Sequence, residues 1–138
     1  MTLFQQRRLE VFIAGSTLGM GVWLAAPWDS MDSPAYTVLG YMAPEGLWAW
    51  LFLSSGLTHI AWLLVNGRRW WSPMARLASC IFSAFIYASW SAGFAFMDPT
   101  TTAVMSYGCL SLGSLACAVT ALHDAIYSVR MHYARRAT

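Results

Sequence analysis

Four ionisable side chains fall inside long apolar runs of this sequence, Glu10, His59, His123 and Asp124, and Arg76 stands at the edge of another, closing the basic turn that begins at Asn66. In such surroundings a charge is costly and has to be paired, neutralised or put to use. His59 stands nine residues before Arg68, roughly 13 Å along a helix, and His123 stands seven before Arg130, roughly 10 Å, so the two rings sit at similar depth. Glu10 and Asp124 occupy the same half of their runs. Three chemistries compete for them. The first is a polar knot of Glu10, His59, Arg76 and Asp124 that sets helix register. The second is paired imidazole ligation of a haem by His59 and His123, which requires both rings to face one space. The third is a proton or ion relay through Asp124 and His59. The knot is the preferred reading, because at 100° per residue His123 projects away from the packing face while Asp124 falls near its middle. On the second apolar run Trp48, Ser55, Thr58, His59 and Trp62 share a face, which turns His59 inward. No Cys-x-x-Cys, His-Glu-x-x-His, nucleophile elbow or phosphate loop occurs. The expectation is a non-enzymatic protein with no cofactor, no bound metal and no nucleic-acid partner.

The composition dictates what must position these groups. Of 138 residues 58 % are apolar and 10 % charged, against about a quarter charged in a usual globular domain. Four long apolar helices could not be kept in water by so few charges, since exposed apolar patches of that size do not persist on monomers. The fold class expected is therefore all-α, a polytopic membrane protein with four transmembrane helices arranged as two antiparallel hairpins in one domain, 1–138. Cys80, Cys109 and Cys117 all lie in apolar runs without metal-type spacing and read as small packing residues.

The expected helices cover about 9–27, 44–66, 73–97 and 99–127, with a short interfacial helix at about 33–40 and a basic tail at 128–138. The first has the outline of a signal peptide, but Leu24 and Pro27 disfavour cleavage after Ala26, so it is expected to stay. Pro44 with Glu45, Ser72 with Pro73, and Asp98 with Pro99 each look like a helix start, with a capping or acidic residue beside a proline that needs no donor. Gly15 and Gly19 on the first helix, and Cys109, Gly113, Cys117 and Ala121 at four-residue intervals on the last, are expected to form small-residue packing faces. Trp23, Trp28, Trp48, Trp50, Trp70 and Trp71 near helix ends, with Tyr36 and Tyr41 in the loop, suit the headgroup layer.

Charge then orients the chain. With four crossings, Arg7, Arg8, Arg68, Arg69, Arg76, Arg130, Arg135 and Arg136, which are all of the basic residues, fall on one side, and Asp29, Asp32, Glu45 and Asp98 fall on the other. Positive loops stay in the cytoplasm, so both termini are expected there, with the arginines as topological anchors and lipid-headgroup partners. The localisation expected is the bacterial inner membrane. The expected partners are the bilayer and a second copy or another membrane protein.

Arg7-Arg8-Leu9-Glu10 before the first helix, Ala43-Pro44-Glu45 with Trp48 opening the second, and Asn66-Gly67-Arg68 with Arg76 around the middle turn form a layout that covers most of the chain. It resembles uncharacterised small four-helix membrane proteins of tailed phages and prophages. The resemblance implies a holin-like role, in which the protein accumulates in the inner membrane and permeabilises it, and implies no catalytic residues. The alternative expected is an accessory subunit or modulator of a larger membrane complex.

Overall fold

The structure, a computed structural model, describes residues 7–28, 30–65 and 71–134. Regular structure among the described residues is helical: α1 (Arg8–Leu24), one 3₁₀ turn (Pro34–Tyr36) running into the short α2 (Thr37–Met42), α3 (Glu45–Val65), α4 (Ser72–Met97) and α5 (Thr102–Ala134). The helices α3, α4 and α5 are long and apolar enough to cross a membrane. At 17 residues α1 is shorter, about 25 Å at 1.5 Å per residue, near the lower limit for a crossing.

Helix ends depart from the expected boundaries for local reasons. α1 stops at Leu24 and not at residue 27, because the residue before Pro27 is disfavoured in the helical region. Ser72 is the first residue of α4 and not its cap; Trp71 holds the cap position, and the buried Ser72 hydroxyl finds no partner among the described residues. Asp98 does not open the last helix either. It ends α4 in extended backbone and begins a turn closed by the Thr101 N–H donating to the Asp98 carbonyl at 3.2 Å, with Pro99 at the position whose φ it pre-sets. The Thr100 hydroxyl and N–H donate to the Asp98 carboxylate at 2.6 and 2.9 Å, which holds its pKa below the usual carboxylate range. α5 consequently starts at Thr102, three residues later than expected, and it continues through much of the expected tail to Ala134.

Two antiparallel hairpins make the bundle. α1 lies along α3 and α4 along α5, with α3 against α4 and α1 against α5 joining the pairs. The first hairpin closes over glycine. A Cβ built on Gly56 would stand 2.6 Å from the Leu18 backbone nitrogen, and one on Gly21 would stand 2.5 Å from that of Leu53, so neither position tolerates a side chain without separating the backbones. Away from the arginines the interior is aromatic. Trp90 meets Trp48 and Phe52 edge to face at 5.8 and 5.3 Å, and Tyr87, Phe94 and Tyr107 complete the cluster. Trp48 is thus a core residue and not a headgroup anchor; its indole N–H donates to the Leu39 carbonyl at 3.1 Å. The short helix likewise does more than rest at the interface. Leu39 is fully buried over Gly93, where a Cβ would come within 2.6 Å of it, and Tyr36 packs on Trp90 and Phe94. The loop is tied down by Ser30, whose N–H donates to Glu45 Oε1 at 3.1 Å and whose hydroxyl bonds the same oxygen.

Candidate functional site

Opposite the aromatic end the bundle closes on charge. Arg8 begins α1 with Arg7 at its cap, Arg76 lies in the early turns of α4, and Arg130 lies near the end of α5, so antiparallel packing gathers them at one end, while Asp32, Glu45 and Asp98 stand at the other. Arg68, Arg69, Arg135 and Arg136 lie outside the described residues, as do Asp29 and Trp70.

Arg76 is the hub. Its guanidinium grips Glu10 with two bonds, Nε donating to Oε2 at 2.9 Å and Nη2 to Oε1, and its Nη1 donates to Asp124 Oδ2 at 3.1 Å. Arg7 Nη2 reaches the same Asp124 oxygen at 3.2 Å. Among the described residues, Arg7 just before α1, Glu10 of α1, Arg76 of α4 and Asp124 of α5 therefore share one charged network. Planar, two-pronged pairing of this kind suits arginine and would be lost with lysine. The Arg76 side chain is 1 % exposed, Glu10 5 % and Asp124 41 %, so the network runs from the interior to the rim. Burial first, and the nearby Arg76 charge second, pull the Arg7 pKa down, while Glu10 and Asp124 oppose the shift.

Three of the four residues expected in the knot meet there. His59 does not hydrogen-bond to them. It is fully buried in α3 beside α4, with Nε2 3.6 Å from the Cys80 sulfur and Nδ1 without a hydrogen-bond partner among the described residues. Arg7, read from sequence as a headgroup anchor, belongs to the network instead. Its proximity in sequence to Glu10, one helical turn away, was the available signal. Asp124 also differs from expectation. It sits at the rim of the α5 packing face, whose centre is Ala121 and Ala125.

The small-residue faces divide in the same way. On α5 the buried residues are Ser111, Ser114, Cys117, Ala118, Ala121 and Ala125. A strict four-residue repeat gains about 40° per step on a 3.6-residue helix, so the row from Cys109 through Gly113 and Cys117 to Ala121 rotates across the surface. Cys109 ends up exposed, Gly113 half-buried against Ile13, and Cys117 and Ala121 inside. Gly15 and Gly19 face outward, with nothing within 4 Å of a Cβ placed on either. Sequence reasoning passed over Gly21 and Gly56, which make the close approach, although each is as plain a glycine in its helix as Gly15 and Gly19.

Further in, hydroxyls pair across helices. Ser55 and Ser83 stand 3.1 Å apart between α3 and α4, and Thr17 and Tyr87 stand 3.1 Å apart between α1 and α4. Nearby, an open cleft of about 340 Å³ lies between α3 and α4, lined by Ser54, Thr58, Trp62, Ala75, Ser79 and Phe82 among others. Its hydroxyls on Ser54, Thr58 and Ser79 donate back to their own helices, which leaves a largely carbon surface. His123 is exposed on α5, whereas His59 is fully buried in α3. Among the described residues no three His, Cys, Asp or Glu side chains are grouped as a metal centre. Comparison of the chain with protein-family models, curated proteins and solved structures finds no match to any of them.

Proposed function

We propose that this chain is a non-enzymatic, four-crossing protein of the bacterial inner membrane, with both termini cytoplasmic, that acts by associating with further copies of itself in the manner of a phage holin. α1 supplies the fourth crossing. Its apolar length is near the lower limit of a span, and Arg7 at its start can stay close to the headgroup layer while paired to Asp124. The observation that carries the association reading is the outward face of α1. Gly15 and Gly19 open a shallow strip flanked by exposed Phe12 and Val22, while the chain's own close helix contact uses Gly21 and Gly56. A bundle that needed only to pack internally has no use for two further glycines on a lipid-facing surface, where each lowers helix propensity by about 1 kcal/mol relative to alanine.

The test is induced expression in a bacterial host with a potential-sensitive dye. An abrupt collapse of the membrane potential is expected, and replacing both Gly15 and Gly19 by Leu should delay or abolish it while the protein still accumulates in the membrane. Cells that keep full potential as the protein accumulates would remove the holin-like reading. The same α1 face would then serve as the docking surface of an accessory subunit, detectable as a larger complex that the double variant fails to enter.

A further inference from the structure

Self-association through the outer face of α1 needs a receiving surface, and the bundle carries one at matching depth, the open cleft of about 340 Å³ between α3 and α4. These two helices pack less closely than the helices of either hairpin. Ser54 and Thr58 on α3 and Ala78 and Ser79 on α4 give the cleft small walls, and Trp62 and Phe82 give it two large ones. The Ser54, Thr58 and Ser79 hydroxyls donate to carbonyls of their own helices at 3.2, 2.6 and 3.1 Å. What they offer a neighbour is carbon and acceptor oxygen, which suits the Cα–H groups of a closely approaching glycine helix.

Copies inserted alike in one membrane share orientation and depth, so two of their surfaces can meet only where they stand level. Across the first hairpin Gly21 faces Leu53 and Leu18 faces Gly56. In that antiparallel register Gly19 lies level with Ser55, Gly15 with His59 and Phe12 with Trp62, all within the span of the cleft. α4 follows at the same height, since Ser83 meets Ser55 and Cys80 meets His59. The lengths also agree, about 15 Å from Phe12 to Val22 and about 12 Å from Ser54 to Trp62.

Charge and aromatic surface match at the arginine end. At 100° per residue Arg8, Gly15 and Gly19 fall within about 40° of one another, with Phe12 and Val22 about 40° to either side. All five are exposed. Arg8 stands one turn beyond Phe12, and at that level the cleft gives way to the edge-to-face pair of Trp62 and Trp71, with ring centres 5.1 Å apart. Stacking on an indole suits a guanidinium, so the arginine of an incoming strip meets a surface that attracts it.

We propose that the α3–α4 cleft receives the α1 strip of a second copy, with Gly15 and Gly19 against Thr58 and Ala78 and with Arg8 on Trp62 and Trp71. This rests on the association reading and adds its geometry. The two surfaces differ, so each contact leaves one strip and one cleft free, and assembly proceeds to a ring or an open array and does not stop at a dimer.

Native mass spectrometry from mild detergent micelles, which counts copies and tells variants apart by mass, is the test. Gly15→Leu with Gly19→Leu blocks the strip, and Ala78→Trp, at an exposed position, blocks the cleft. The parent should form trimers and larger species, and each variant alone should be monomeric. Co-expressed, the two variants should form a one-to-one dimer, because one usable strip and one usable cleft remain between them. Should Ala78→Trp lose helix content, Thr58→Phe blocks the cleft from its other wall. Cleft-blocked copies that assemble like the parent would overturn the proposal, leaving the cleft to a lipid chain and the association reading intact, as would a parent that stops at dimers. A parent that stays monomeric would remove both.

Discussion

At the residue scale the molecule turns on Arg76. A guanidinium with 1 % exposure would be untenable alone, and it is tolerated because Glu10 takes two of its donors and Asp124 a third. Breaking a buried pair leaves a stranded charge and typically costs about 3–5 kcal/mol, whereas replacing both partners by apolar groups of similar volume is often close to neutral. Arg76→Leu is therefore expected to destabilise by about 3–5 kcal/mol. Combining it with Glu10→Leu should recover most of that loss, because Arg7 and Asp124 remain to pair with each other. Unfolding in mixed detergent, followed by circular dichroism, distinguishes the cases. A double variant as unstable as the single one would mean that the network is needed for correct helix register and not merely for charge balance.

At the scale of elements, the first hairpin depends on two glycines that meet backbone. Gly56→Leu must push α1 away from α3, since even a Cβ there would stand 2.6 Å from the Leu18 nitrogen. Overpacking of this kind costs about 1–3 kcal/mol or more. Gly15→Leu, on the open face of the same hairpin, should leave stability within about 0.5 kcal/mol of the parent. Thermal melts of the two variants in one detergent test the contrast, and equal losses would mean that the α1 outer face is occupied within the folded protein. The two glycine sets are indistinguishable in sequence. Spacing shows that a backbone can approach a helix, while only the neighbour's position decides where it does.

At the scale of the whole molecule, charge is segregated along the bundle axis. Among the described residues the arginines gather at one end and Asp32, Glu45 and Asp98 at the other, with the aromatic cluster near the acidic end. Reporters fused at Thr138 and inserted after Arg69 should both read cytoplasmic, and one at Ser33 should read periplasmic. A reporter fused ahead of Arg7 that reads periplasmic, on the same side as Ser33, would make α1 something other than a crossing and reduce the spans to α3, α4 and α5, the three that meet the length and hydropathy of a membrane helix by themselves.

The sequence by itself determined the class and the layout: all-helical, apolar enough for a membrane, two antiparallel hairpins, and a polar knot drawing on Glu10, Arg76 and Asp124. Those features rest on composition and on periodicities that local backbone geometry enforces, so they need no knowledge of neighbours. Helix starts were legible only to within three residues, because Asp-Pro and Ser-Pro suit a turn as well as a cap, and at Asp98 the turn won through its bonds to Thr100. The tertiary structure alone decided that Arg7 joins the network while His59 stands beside it, that Trp48 is core, that Leu39 closes the aromatic end, and that Gly21 and Gly56 carry the close helix contact. Each of these depends on rotation and depth relative to another helix, and a helical sequence prescribes its own periodicity but not the azimuth at which a partner meets it.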